Sequence, residues 1–456
     1  MRNLLPKIAF FVVFIVLLIA VSDAVRPVPG AENREKVVEV AIFEGGYGIG
    51  WHSKIAAEFN EEHADRNIRI ELWGDPRTAD IIKPRLLRGD PPDLILDERL
   101  PLWLLIGADK LTPFTQALRE PLPDSEVPWG DEFATGMLDM FTSDGEVYAI
   151  PAAYGSWTCW YDKKMFRDNG WEAPKSWDDF LALCREIEKT DIDPIALQGK
   201  YAILYGWNTF IAMVQRVGGL EAINRINALE PDAYRHTDVI KAARLFQELV
   251  VNHFQKGAMA MTHTESQLQF VTGKAAMIFC GLWLENEMKA NIPPDFELGT
   301  FDLPTNPGWK GNPKMVHGQG MEFLFVPRDA RYPDIAFEFA RYLVSRKRAP
   351  DMAESIGVIS PLAKATPAAS VTKASQSALE IIDAADGIFN VRATMLFPAW
   401  RAQVMNSAIQ GLCRGELTPE EFCRLLDEGI VQAVETSDLK IPAHVAYDPT
   451  AFGEGE

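Results

Sequence analysis

The segment FVTGKAAMIFCGLWLEN, residues 270–286, decides how the rest of this chain is read. Its Gly-Lys pair invites a phosphate-loop reading. The earlier glycine at P-loop spacing is missing, however, and the pair precedes a strand-like run rather than a helix. Lys274 then reads as a solvated residue at a helix-to-strand turn. Two readings remain for AAMIFCGLW: a buried strand with no chemistry, or a strand that delivers Trp283 and Glu285 to the rim of a ligand pocket.

The flanking sequence alternates strand and helix patterns. VVEVAIF (37–43) is rich in β-branched residues. WHSKIAAEFNEEH follows with Trp51, Ile55 and Phe59 at helical spacing, and IRIEL (68–72) reads as a second strand. TADIIKPRLLRGD is helical with Pro84 interrupting it, and DLILD (93–97) is a short buried strand. Such βα units predict a mostly parallel sheet. Further on, SDGEVYAIP and SWTCWYD read as strands. PKSWDDFLALCREIEK is a helix with Ser176 as N-cap and Asp179 three residues on. WNTFIAMVQRVGG is a helix closed by Gly218, and Thr237 caps a long amphipathic helix. FELGTFD and MEFLFVP are strands, and helices dominate from Ala374 onward.

At 456 residues the chain is long enough for two domains with cores of their own. A formal net charge of −19 repels phosphate backbones and argues against nucleic acid as a partner. The N-terminus carries Arg2 and Lys7, an apolar run of 14 residues from Ile8 to Val21, then Ser22 and Ala24 at the −3 and −1 positions of a cut after Ala24. That run is shorter than the roughly 17–25 residues of a spanning helix. Residues 1–24 are therefore expected to be a secretory signal peptide, with an uncleaved anchor as the alternative. No cysteine follows the run, so a lipid anchor has no support. The five cysteines form no disulfide framework and no C-x-x-C, although Cys413 and Cys423 flank a turn across which a bridge is conceivable.

Catalytic and cofactor signatures are absent. EGGYGIGW stands where a dinucleotide fingerprint would lie, yet Trp51 occupies the place of the third glycine and blocks the close packing that glycine permits. His263 and Glu265 form an H-x-E, but no P-C-x-x-C follows, so no metal site is expected. The 64 carboxylates single out no glycosidase-like pair by spacing. Tryptophan is the abnormal feature. Of 12, Trp51, Trp207, Trp283 and Trp400 stand where a strand or loop hands over to a helix. Ligands of α/β sheets bind beyond the carboxyl ends of strands, and an indole face suits the C–H face of a sugar ring. Asp97, Glu98, Asn208, Glu285 and Gln319 could bond its hydroxyls. A core role for each tryptophan is the competing reading.

The order of these features resembles the extracellular solute-binding proteins of ABC transporters, the maltose-binding-protein-like family. FVTGKAAMIFCGLW is similar to the family's F-x-x-G-K-A-A-M…G-x-W stretch, and GDPPDLILDE to its G-x-x-P-D strand. VYAIPAAYGSWTCWYDKKMFRDNGWEAPKSWDDF is similar to its central crossover and helix cap. The resemblance runs from Val37 to Val434. It implies a periplasmic-binding-protein type II fold, two α/β lobes with a hinge and an interlobe cleft. By the same matching, 37–151 and 313–365 form the first lobe; 152–312 and the C-terminal helices, 366–456, form the second.

The ligand-binding residues it implies are Trp51, Asp97, Glu98, Tyr154, Trp157, Trp207, Asn208, Trp283, Glu285, Gly318, Gln319, Trp400 and Arg401. The implied function is a periplasmic substrate-binding component that takes a mono- or oligosaccharide to a membrane permease, as a monomer, with no cofactor, metal or catalysis. Three alternatives stay open. The same fold could hold a polyol, a sugar phosphate or another small anion, with Arg401 and helix N-termini taking the charge. An exported glycan-active enzyme would use a carboxylate pair, and an anchored adaptor would bind protein.

Overall fold

The computed structural model describes residues 35–447, apart from 46, 201 and 445. The signal-peptide expectation therefore lies outside the described residues. Strand β1 (Lys36–Phe43) buries Val38, Val40, Ala41 and Ile42. It pairs in parallel with β2 (Ile68–Asp75) and with β3 (Leu94–Leu96). Helix α1 (Gly50–Glu62) makes the first crossover, and its 51, 55 and 59 positions put Trp51, Ile55 and Phe59 on the buried face. Helix α2 (Thr78–Arg88) makes the second and continues through Pro84. Pro84 is exposed, so water can satisfy the carbonyl that its missing N–H leaves free. Gly89, at φ 72°, ends the helix in the left-handed region.

The sheet has ten strands but is not mostly parallel. Two thirteen-residue strands, β4 (Ile150–Asp162) and β8 (Met315–Pro327), run antiparallel through its middle, from Gly318 opposite Ser156 to Leu324 opposite Ile150. The remaining named strands are β5 (Asp193–Ala196), β6 (Ala275–Gly281), β7 (Leu298–Phe301) and β9 (Gly387–Phe389). The main order is β2-β1-β3-β8-β4-β6-β5, with β7 on β4 and β9 on β8. The βα rule holds at the two ends, where crossover helices cover the strands. It fails in the middle because β4 and β8 carry the chain between two cores.

Those cores make the two lobes. One holds Val40, Phe59, Ile150 and Leu324, and Val371, Leu379 and Ile388 from the C-terminal third bury against it. The other holds Trp160, Phe180, Phe279 and Phe422. Buried Arg216 ties the β7–β8 connection to the second core. Its guanidinium donates to Asp302 Oδ2 at 2.7 Å, to the Leu303 carbonyl at 2.7 Å and to the Met315 carbonyl at 2.9 Å.

Helix α3 (Trp177–Ile187) opens with the expected capping box, Ser176 and Asp179 each bonding the other's backbone N–H. Helix α4 (Ala202–Asn227) is two helices in one run, the first closing at Gly218 as expected. It kinks at Gly219, at φ 67° and ψ −171°, where an added Cβ would stand 2.9 Å from the Lys310 carbonyl oxygen, and then resumes. Helix α5 (Thr237–His253) is capped by His236 rather than Thr237, because the imidazole accepts from the Asp238 N–H. All five cysteines are buried and free. Cys413 and Cys423 are packed separately in the second core.

Candidate ligand cleft

The first-lobe wall is built where β1 and β3 end. After β1 the chain turns through Tyr47 and Gly48, the latter at φ 63°, into the uncapped N-terminus of α1. Beyond β3 stand Asp97 and Glu98. Asp97 is fully engaged internally: Arg99 donates to it from Nη2 at 2.7 Å and from Nε and its own N–H at 2.9 Å, while the guanidinium lies 3.6 Å over the Phe43 ring. Glu98 accepts the Glu322 backbone N–H at 2.9 Å. Glu322 breaks the apolar run of β8 and sits in the left-handed region, at φ 54°.

His52 Nε2 is 3.8 Å from the Glu322 carboxylate. Burial pushes Glu322 up to about 8, with the Glu98 charge adding to it, so Glu322 holds a proton near neutral pH. Burial also raises Glu98, against the opposing bond from the Glu322 N–H. It holds His52 down to about 4, which keeps the imidazole neutral.

The second-lobe wall follows β6. Trp283 folds back over Gly281, where an added Cβ would fall 2.1 Å from the indole. That close approach is why the position is glycine. Trp283 meets Trp157 at 6.0 Å between ring centroids, and Trp157 stands edge-on to Tyr205 at 5.3 Å and donates to Thr209 Oγ1 at 3.1 Å. A polar chain continues outward. The Tyr205 hydroxyl bonds His263 Nδ1 at 3.0 Å, His263 Nε2 lies 2.6 Å from Glu287, and Gln267 Nε2 donates to the same carboxylate oxygen at 2.8 Å. These groups come from α6 (His263–Val271) and α7 (Leu284–Met288), with Tyr205 on α4.

Tyr47 follows β1 on the first-lobe wall. Burial raises its phenol, and Glu322 and Glu98 of its own lobe and Glu287 of the other add to the rise. The lobes also touch directly, through Asn286 Nδ2 donating to the Ile356 carbonyl at 2.8 Å. Ile356 ends α9, which follows the amphipathic α8 (Pro333–Leu343); α9 is Ala349–Ile356.

Of the thirteen residues expected at the site, Glu98, Trp157 and Trp283 stand with these walls. Trp51 is buried in the first core with its N–H on Asp351 at 3.0 Å. Tyr154 borders a separate cavity of about 170 Å³ shared with Ser360, Asp383 and Asp386. Trp207 and Trp400 pack on each other at 6.0 Å, both 3% exposed, inside the second core. Asn208 donates to the Leu204 carbonyl and bonds His317 Nε2 at 3.1 Å. Glu285 turns to α10 (Lys373–Ala384), accepting from Thr372 at 2.7 Å and Ser375 at 2.8 Å. Gly318 lets β8 approach the Gly155 carbonyl oxygen, 2.7 Å from where a Cβ would stand. Gln319 lies opposite Gly155 in the ladder, and its side chain is outside the described part. Arg401 is exposed at the start of a π-helical stretch, Arg401–Met405.

Tyr47, His52, Tyr205, His263, Gln267, Glu287 and Glu322 escaped the sequence reading. Glu322 had a legible signal, an acid inside the apolar MEFLFVP strand. The H-x-E was legible too, but its Glu265 is a capping-box partner of Thr262, and the carboxylate that His263 bonds is Glu287, 24 residues on.

Two α/β lobes joined by long strands define the type II binding-protein fold, with its cleft between the lobes. Solved structures share this fold. A chitin oligosaccharide-binding protein matches with a TM-score of 0.70 at 20% identity, over 87% of this chain and 98% of that one. The sugar-binding protein MalE from Xanthomonas citri matches with 0.71 at 17%, over 88% and 98%.

Residues 44–349 match the model of the bacterial extracellular solute-binding proteins, and the chain belongs to that family. Among its relatives, a diacetylchitobiose-binding protein of Streptomyces coelicolor is 25% identical over 73% of this chain and 71% of its own length. A multiple sugar-binding protein of Streptococcus mutans is 22% identical over 64% and 68%. Among the described residues no helix is long and apolar enough to cross a membrane.

Proposed function

We infer that this protein receives a carbohydrate, as a mono- or oligosaccharide, and presents it to the permease of an ABC importer. The observation that carries the reading is the Trp157–Trp283 pair at the end of β6, with Trp283 partly exposed and Glu287, on the helix that follows, held by His263 and Gln267. An apolar ring face with acceptors at its edge matches a pyranose, whose C–H face stacks while its rim of hydroxyls donates. Both relatives named above bind sugars by their descriptions, which supports the same choice. Ligand held by both lobes stabilises the closed form by its differential affinity, and the closed form is what a permease can read.

The protein acts by binding and not by turnover, as an exported monomer whose residues 1–24 direct export. Calorimetry against a panel of neutral oligosaccharides tests this. One class should bind with micromolar affinity, about −8 kcal/mol, and be recovered intact by chromatography. Absence of binding across the panel refutes the carbohydrate reading, and appearance of hydrolysis products refutes the non-catalytic one.

A further inference from the structure

We propose that Glu287, held by His263 and Gln267, is the positioning residue that sets the Trp283 indole for stacking on the sugar. This rests on the carbohydrate reading and names what keeps its aromatic platform in place.

Helix α7 is little more than one turn long, too short to hold its own direction. Trp283 immediately precedes it, and the Glu287 N–H donates to the Trp283 carbonyl at 3.0 Å. Fixing Glu287 therefore fixes the backbone from which the indole hangs. Three successive side chains go from this helix to three different anchors. Asn286 donates to the Ile356 carbonyl of the first lobe, and Glu285 accepts from Thr372 and Ser375, beside Val371 and Leu379 of the first core. Glu287 ties the helix back to its own lobe, where His263 Nε2 lies 2.6 Å and Gln267 Nε2 2.8 Å from its Oε2. Contacts that cross between lobes change when a hinge opens; the Glu287 contact lies wholly within the second lobe.

The anchor is itself fixed. Gln267 is fully buried, and His263 opens α6 behind the Thr262–Glu265 capping box. A neutral imidazole serves both of its bonds, Nε2–H donating to Glu287 and Nδ1 accepting from the Tyr205 hydroxyl at 3.0 Å. Tyr205 stands edge-on to Trp157, so one chain of hydrogen bonds runs from behind Trp157 to the helix that follows Trp283. The two indoles are thereby held 6.0 Å apart at 53° to each other. A platform set before the sugar arrives spares the cost of ordering it on binding.

Both anchoring bonds end on the same carboxylate oxygen, so an amide oxygen in its place can accept both. Glu287→Gln is therefore the rescuing variant and Glu287→Ala the disabling one. The Glu287 side chain is 32% exposed, so neither change empties a core position. Near-ultraviolet circular dichroism of the unliganded protein reads the indole pair. The spectrum should change in Glu287→Ala, return in Glu287→Gln, and be indifferent to Glu287→Ala once Trp283→Phe is present. Calorimetry against the neutral oligosaccharide panel, starting with diacetylchitobiose, maltotriose and raffinose, reads the consequence. Glu287→Ala should hold the sugar that the wild type binds roughly three- to tenfold more weakly, and Glu287→Gln should stay within about twofold of the wild type. His263→Ala should weaken binding too, with the double variant no worse than Glu287→Ala alone. A loss in Glu287→Gln as large as in Glu287→Ala overturns the proposal, because charge rather than placement would then be what the sugar meets. Wild-type spectrum and affinity in Glu287→Ala overturn it as well, while the carbohydrate reading stands. Silence of the wild type toward the whole panel removes the carbohydrate reading and this role with it.

Discussion

Two pairs of tryptophans lie within the same lobe and do different work. Trp157 and Trp283 meet at the end of β6, where we place the ligand, while Trp207 and Trp400 press against each other and against Tyr234 inside the core. Trp283 and Trp400 occupy comparable places in the chain, each just ahead of a helical turn. What separates them is what packs beyond the indole. Trp283 packs on Gly281 and Trp157 at the edge of the core and stays partly exposed. Trp400 is covered by α4 and by α11 (Pro419–Thr436), whose Gly429 leaves room for it. A buried charge repeats the contrast. Arg216 in the core donates to the Leu303, Asn312 and Met315 carbonyls, to Gln215 and to Asp302, whereas Glu322 has His52 at 3.8 Å and a neighbouring carboxylate. Of these two buried charges, Arg216 is the completed one and Glu322 the incomplete one.

The largest effect should come from breaking the completed side. Arg216→Ala leaves Asp302 buried without its partner and should lower stability by ~3–5 kcal/mol in urea unfolding. A loss under 1 kcal/mol would mean that the network is not structural. Trp400→Ala should cost about 3–5 kcal/mol of stability through cavity formation, by the same measurement.

The incomplete side should answer with the opposite sign. Glu322 has a folded pKa raised above its unfolded one, so the folded state holds the extra proton. Its contribution is fully present below the unfolded value and is lost as pH rises toward about 8. Glu322→Gln should therefore flatten the fall in stability across that window and gain on the order of 2 kcal/mol above it. A slope unchanged by the substitution would place the proton elsewhere.

The smallest effect belongs to the contact between lobes. Asn286→Ala removes one hydrogen bond, about 0.5–1.5 kcal/mol. Scattering of the unliganded protein should then show a more open average shape, with unfolding stability near that of the wild type.

Much of this fold was legible because it is written in local pattern. The β-branched run of β1, the i, i+4 face of Trp51, Ile55 and Phe59, and the Ser176–Asp179 capping box need no distant partner to be read. The antiparallel centre was not legible, since β4 and β8 look like any buried strands until their length shows that each serves two cores. The site was read only in part, for a related reason. A tryptophan's place in the sequence says that a helix follows; it does not say whether another helix will cover it. Trp51 illustrates this, with its N–H committed to Asp351, 300 residues away. Tyr205, His263, Gln267 and Glu287 come from three helices, and their chain of hydrogen bonds exists only after those helices pack around β6.

Intrinsic fluorescence titration with the bound oligosaccharide, run on the wild type, Trp283→Ala and Trp400→Ala, separates the cleft from the core most directly. The wild type should show a saturable change. Trp283→Ala should weaken affinity by roughly 1–3 kcal/mol with little loss of stability, from lost area and stacking together. Any Trp400→Ala protein that folds should keep the wild-type affinity. An unchanged affinity in Trp283→Ala would contradict the placement of the ligand between the lobes at this indole.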